Sequence, residues 1–243
     1  MLPYRARPPR APAASPAQGP GPGAAARTAP GSAHRVANLI TLARLLLLFV
    51  LVLMVYRAPP AWQLLDMPLL VLIIALDGLD GWVARRRGEA SVFGSVFDIA
   101  ADRVVENVLW IVLADLDLVP VWVALVFVVR GLLVDAIRCH GAGHGQTPFG
   151  MLRSPWGRVL VAGRFIRGLY GAVKAVAFGW ILLLQPWPRL FPAFWERWAG
   201  LLEGVTQALV LLAVALCLLR ALPVVAEFAA TELARDRRGD ARP

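Results

Sequence analysis

The chain has 243 residues, of which 58% are hydrophobic, with a mean hydropathy of +0.63, a formal net charge of +9 and a pI near 11.0. This apolar content excludes an ordinary soluble domain and indicates a membrane protein. A basic excess of this size suits nucleic acid or an anionic membrane surface. Because the apolar content favours the membrane, we expect contact with membrane lipids and no nucleic-acid partner.

The N-terminal residues 1–34 are rich in Pro, Ala, Gly and Arg and contain no acidic residue. They show no hydrophobic periodicity, which predicts a disordered basic tail beside anionic lipid, with an Arg-rich targeting peptide as the alternative. The segment is not typical of a secretory signal, because no apolar stretch directly follows its first arginines. Residues 35–225 are then expected to form the membrane domain, and residues 226–243 a charged cytoplasmic tail.

Six windows of roughly 20 apolar residues follow, each long enough to cross a bilayer as a helix. They predict an all-α, integral membrane six-helix bundle with a polar cavity that faces the cytoplasm. The predicted spans lie near residues 37–56, 64–84, 95–114, 119–139, 160–184 and 203–222.

Arginines cluster before the first span, in RRRGE after the second, in the connection after the fourth and in RDRRGDAR at the C-terminus. The opposite connections have fewer basic residues and carry Trp and Pro. The positive-inside rule therefore places both termini in the cytoplasm, and we expect a multi-pass protein of a bacterial inner membrane.

Four aspartates interrupt the apolar sequence where the second predicted helix ends and the third begins. Asp77 and Asp80 are one turn apart, and Asp98 and Asp102 are spaced i, i+4, so each pair shares a helix face. A short connection makes the two helices an antiparallel pair, which brings the carboxylates to one depth. Their mutual repulsion requires a positive charge between them, and oxygen ligands without His or Cys favour Mg²⁺ or Mn²⁺. The pattern predicts a site for two divalent metal ions that stays open to substrate phosphates.

Small residues and one arginine accompany these acids. Gly81 follows Asp80 directly, and Gly94 lies one turn before Asp98, so both leave room for a nucleotide. Arg85 lies one turn beyond Gly81, and its planar guanidinium can hold a phosphate.

The segment from Asp77 to Asp102 resembles the signature of the CDP-alcohol phosphatidyltransferase family, D-x2-D-G-x2-A-R-x8-G-x3-D-x3-D, at every fixed position. The resemblance covers about residues 36–222 and includes the six-helix topology of that family. It implies an enzyme that transfers the phosphatidyl group of CDP-diacylglycerol to the hydroxyl of a small alcohol and releases CMP. Dimers are common in the family, so a homodimer is a further expectation.

The resemblance also implies roles for individual residues. Asp102 would be the general base that takes the proton of the attacking hydroxyl. The two metal ions would be held by Asp77, Asp80, Asp98 and Asp102. The CDP group would be bound by Gly81, Ala84, Arg85 and Gly94.

The stretch ANLITLAR at the start of the first span is similar to the PNLLTLxR opening of the phosphatidylglycerophosphate synthase branch, with Ala37 in place of the proline. This similarity implies that Asn38, Thr41 and Arg44 help to hold the nucleotide. For Asn38, a polar helix cap is the alternative interpretation.

Two further stretches concern the acceptor alcohol. Arg130 and Arg138 in FVVRGLLVDAIRC resemble the AREIIISALRE pattern of the glycerophosphate-using branch, and Lys174 in YGAVKAVAF resembles its G-K-x-K-T stretch, with one lysine and no threonine. An arginine inside a span needs an anion, and the phosphate of glycerol 3-phosphate would be one. The alternative partners are Asp135 and lipid headgroups. Glu106 is either a structural partner or a pocket residue.

Two other functions compete with this interpretation. The same chemistry could use inositol phosphate, serine or phosphatidylglycerol, and residues 151–168 have no counterpart that would decide the acceptor. A cation transporter is the alternative of a different class, but the acids cluster at one end of two helices and not at the membrane midplane.

Overall fold

The computed structural model describes residues 33–87, 92–143, 160–161 and 163–239. This part of the chain is helical and contains no β-strand, which confirms the all-α part of the predicted fold class. The helices are α1 (Ala33–Arg57), α2 (Pro60–Gln63), α3 (Asp66–Arg87), α4 (Val92–Asp115), α5 (Val121–Gly143), α6 (Arg164–Leu184), α7 (Trp187–Leu190) and α8 (Pro192–Gly239). The predicted N-terminal tail lies almost entirely outside the described residues.

Within the described residues, four regions are long and apolar enough to cross a membrane: Asn38–Arg57, Pro60–Leu79, Arg164–Leu190 and Pro192–Leu233. Helices α4 and α5 have sufficient length, but each carries several charged side chains. The chain is therefore a multi-pass membrane protein, while the six spans and their orientation stay predictions.

Helix α1 shows how an apolar helix divides its surface between protein and lipid. Leu48 and Leu51 are fully buried in the bundle. Leu39, Leu46 and Leu53 recur every seven residues and are 59–64% exposed, so they form one outward face. An apolar face without a protein partner suits contact with acyl chains.

One hydrophobic core joins all six long helices. Its centre is Trp110 of α4, whose ring stacks on Phe127 of α5 at 4.3 Å and lies 4.5 Å from the ring of Phe178 of α6. Leu48 of α1 and Cys217 of α8 belong to the same core. This packing fixes the helices relative to each other on one side of the charged cavity described below.

Helix α8 runs for 48 residues, about 72 Å at the usual rise per residue, and contains Pro223. It continues through the position predicted as the start of the C-terminal tail, so no helix end marks that boundary. A second, smaller core joins this part of α8 to α5; it consists of Val134, Ile137, Val161, Ala221 and Val224.

Candidate active site

Three of the predicted aspartates meet around one arginine. Arg44 of α1 is 1% exposed, and its guanidinium donates hydrogen bonds to Oδ1 of Asp77 and, at 2.7 Å, to Oδ1 of Asp102. Oδ1 of Asp98 lies 3.7 Å from Nη1 of the same group. The positive charge that the sequence required between the carboxylates is therefore supplied in part by Arg44.

The same aspartates have the geometry of a metal site. One carboxylate oxygen from each of Asp77, Asp98 and Asp102 lies within 4.8 Å of the other two. Their side chains are 44%, 43% and 56% exposed, so a solvated ion can reach them. An all-oxygen donor set of this kind fits Mg²⁺ or Mn²⁺. The side chain of Asp80, the fourth predicted ligand, lies outside the described residues.

The residues predicted to bind CDP lie beside this cluster as far as they are described. Thr41 is buried one turn before Arg44, and Asn38 is half-buried one turn earlier on the same face. Gly81 and Gly94 are both half-buried. The side chains of Ala84 and Arg85 lie outside the described residues, and the roles of all these residues stay predictions.

A cavity of about 550 Å³ opens between α1, α3, α4, α5, α6 and α8. Arg44, Asp77 and Asp102 line one part of it. The other part is strongly basic and is lined by Arg130, Arg138, Arg167, Lys174 and Arg220. The structure therefore brings the three cations predicted for the acceptor, Arg130, Arg138 and Lys174, into the cavity that holds two of the predicted metal ligands.

Several charges of the basic part already have a counter-ion. Nζ of Lys174 lies 2.7 Å from Oε1 of Glu106, so Glu106 is both an ion-pair partner and a cavity residue. Arg103 donates to Asp135 at 2.7 Å and to Glu106 at 3.1 Å. Nη1 of Arg138 is 3.8 Å from Oδ1 of Asp135, the residue named above as an alternative partner to the acceptor phosphate. Arg103 is nevertheless the nearer partner of Asp135.

Arg130 of α5 and Arg220 of α8 differ from these residues. Each is only 8% exposed, and the Nε atom of each has no hydrogen-bond partner. Among the described residues, no carboxylate lies within 4 Å of either guanidinium. Because burying a cation without a paired anion costs free energy, this pair is suited to an anionic ligand. Arg220 was not among the residues predicted for the site, although a lone arginine in the apolar run LCLLRALPVV is a signal for it.

Part of the chain is similar to a characterised bacterial enzyme, the CDP-diacylglycerol–glycerol-3-phosphate 3-phosphatidyltransferase of Bacillus subtilis (strain 168). The two are 29% identical over 122 residues, and the match covers 45% of this chain and 63% of the relative. The match thus spans less than two thirds of the length of that relative. The sequence model of the CDP-alcohol phosphatidyltransferases matches residues 34–219, which include the aspartates and the basic residues of the cavity other than Arg220. The chain therefore belongs to the CDP-alcohol phosphatidyltransferase family and is a transferase enzyme.

Proposed function

We propose that this enzyme transfers the phosphatidyl group of CDP-diacylglycerol to a hydroxyl of glycerol 3-phosphate and releases CMP. The observation that carries the proposal is the division of one cavity into an acidic part at Asp77 and Asp102 and a basic part at Arg130 and Arg220. The reaction needs both, because the metal-binding chemistry and the acceptor phosphate require opposite charges. The activity of the Bacillus subtilis relative supports glycerol 3-phosphate as the acceptor.

The acidic part would carry out the transfer itself. Asp77, Asp80, Asp98 and Asp102 would hold two Mg²⁺ or Mn²⁺ ions, which neutralise the diphosphate when bound. Asp102 accepts the proton of the acceptor hydroxyl, whose oxygen forms a bond to the phosphorus that carries diacylglycerol. The bond from that phosphorus to the oxygen of CMP breaks, and CMP leaves. Arg44 keeps the Asp102 carboxylate in place through its 2.7 Å hydrogen bond.

The basic part would position the acceptor. A phosphate held between Arg130 and Arg220, with Arg138 and Lys174 nearby, directs the free hydroxyl toward Asp102 along the cavity. A fixed distance between phosphate and hydroxyl would then select the acceptor by length as well as by charge.

The function is tested by measuring CMP release from CDP-diacylglycerol by the purified, full-length protein in the presence of Mg²⁺. We expect release to depend on glycerol 3-phosphate when inositol phosphate, serine, phosphatidylglycerol and glycerol are offered in parallel. Release with a different alcohol would keep the reaction class and replace the acceptor. No release with any alcohol would contradict the proposed transfer.

Arg130→Ala is expected to raise the KM for glycerol 3-phosphate by about tenfold to a hundredfold, because it removes charged hydrogen bonds to the acceptor phosphate. The KM for CDP-diacylglycerol should change little. Arg138→Ala should act in the same direction but less, since Arg138 is 31% exposed and shares Asp135. Arg189→Ala, at an exposed arginine outside the cavity, is the matched control. An equal rise in both KM values would contradict an acceptor role for Arg130.

Both termini and the active-site cavity are proposed to face the cytoplasm. In a chain with Cys139→Ser and Cys217→Ala, a membrane-impermeant thiol reagent should label Gly88→Cys only from the cytoplasmic side. It should label Arg189→Cys only from the outside. The reverse labelling pattern would overturn the orientation and place the site away from cytoplasmic substrates.

A further inference from the structure

Tyr170 of α6 lies at the centre of the basic part of the cavity and is 5% exposed. Its ring centroid is 4.4 Å from Nζ of Lys174, 5.0 Å from Cζ of Arg220 and 5.7 Å from Cζ of Arg130. Its hydroxyl donates a hydrogen bond of 3.3 Å to Oε1 of Glu106. One side chain therefore contacts three cations and one carboxylate from four different helices.

The hydroxyl and the ring of Tyr170 make different kinds of contact. Oε1 of Glu106 accepts the hydrogen bond from the Tyr170 hydroxyl and also pairs with Nζ of Lys174. The charge of this lysine is therefore already balanced. Arg130 and Arg220 lie over the ring and, among the described residues, have no carboxylate within 4 Å. The negative π-face of the ring attracts a guanidinium without removing its charge. A cation held in this way keeps its N–H groups available to a second, anionic partner.

We infer that Tyr170 is a positioning residue whose ring holds Arg130 and Arg220 as the pair that binds the acceptor phosphate. This inference rests on the proposed function in one respect, namely that the acceptor carries a phosphate. Lys174 then has a smaller role in acceptor binding than was predicted from its motif, because Glu106 already balances its charge. The ring, and not the hydroxyl, is the essential part of Tyr170.

Three variants distinguish the contribution of the Tyr170 ring from that of its hydroxyl. Tyr170→Phe keeps the π-face and loses the hydroxyl. Tyr170→Leu loses both, and Tyr170→Met is a second ring-free variant in case Tyr170→Leu does not fold. Tyr56→Leu removes an exposed tyrosine that is bonded to Asp115 outside the cavity and serves as the matched control.

In steady-state kinetics on the full-length protein, the ring-free variants should raise the KM for glycerol 3-phosphate by about tenfold, because two cation–π contacts are lost. Their kcat and their KM for CDP-diacylglycerol should stay within about twofold of wild type. Tyr170→Phe should restore the acceptor KM to within about threefold of wild type. A merely structural role would lower kcat and raise both KM values together. That result, or equal losses in Tyr170→Phe and Tyr170→Leu, would overturn the inference.

Binding of inorganic phosphate gives a measurement that does not depend on turnover. Calorimetric titration should detect phosphate on wild type, Tyr170→Phe and Tyr56→Leu, and about tenfold weaker affinity on the ring-free variants. Unchanged phosphate affinity in a folded ring-free variant would refute the inference even if glycerol 3-phosphate is the substrate. Loss of phosphate binding in those variants would support it even if wild type proves inactive with glycerol 3-phosphate, which would refute only the proposed acceptor.

Discussion

Asp102→Asn is expected to lower CMP release by about 10²- to 10⁴-fold, because an amide cannot accept the proton of the acceptor hydroxyl. The amide oxygen of asparagine can still accept the hydrogen bond that Arg44 donates at 2.7 Å, so the helices should keep their packing. Binding of CDP-diacylglycerol, measured by equilibrium titration in the presence of Mg²⁺, should therefore survive the substitution. Lost turnover together with retained binding of CDP-diacylglycerol would identify Asp102 as the general base.

The comparison variants separate a base from a metal ligand. Asp77→Asn and Asp98→Asn should raise the Mg²⁺ concentration needed for half-maximal rate or abolish turnover. Asp117→Asn is the control, since Asp117 is exposed at the opposite end of α4 and its positive φ of 57° is also accessible to asparagine. Turnover like that of wild type in Asp102→Asn would remove Asp102 from the mechanism.

Arg44→Gln is expected to lower CMP release by about a hundredfold and to destabilise the metal-free protein by about 2 kcal/mol. The substitution leaves Asp77, Asp98 and Asp102 without the cation that lies between them. We expect less than the full value of two charged hydrogen bonds, because solvent screens these half-exposed carboxylates. Added Mg²⁺ should restore more stability to the variant than it adds to wild type, since the ion replaces the missing charge.

Thermal unfolding with and without Mg²⁺ measures this effect, and a loss of about 2 kcal/mol corresponds to roughly 4–8 °C for a chain of this size. Arg44→Lys should be intermediate, because an ammonium keeps the charge but lacks the planar fork that reaches two carboxylates. Arg57→Gln, at an exposed arginine at the other end of α1, is the control. A variant as stable as wild type and with the same response to Mg²⁺ would contradict the role of Arg44.

Local sequence patterns were sufficient to predict the helical fold and the convergence of three aspartates. The spacings of Asp77, Asp98 and Asp102 fix which helix face each occupies, and the short connection fixes the depth at which the two helices face each other. The number of membrane spans was harder to predict. Charged residues in α4 and α5, such as Asp98 and Arg130, interrupt the apolar windows from which spans are recognised.

Contacts between distant helices could not be predicted in this way. Arg44 lies 33 residues before Asp77 and 58 before Asp102, and no local period relates these positions. The contacts of Tyr170 with Arg130 and Arg220 also depend on how α5, α6 and α8 pack. The pairing of Glu106 with Lys174 resolves a choice that the sequence left open, because one carboxylate proves to be both a partner and part of the pocket wall.

The pairing of charges within the cavity also matters between turnovers, when no substrate fills this polar space inside an apolar helix bundle. In this cavity Arg44 pairs with the aspartates and Lys174 pairs with Glu106. These charges therefore already have counter-ions before a substrate binds. Most of the desolvation free energy of these ions is then part of folding, and it does not recur each time a substrate binds. At Arg44 and Lys174, substrate binding then becomes an exchange of counter-ions in which no bare charge has to be created.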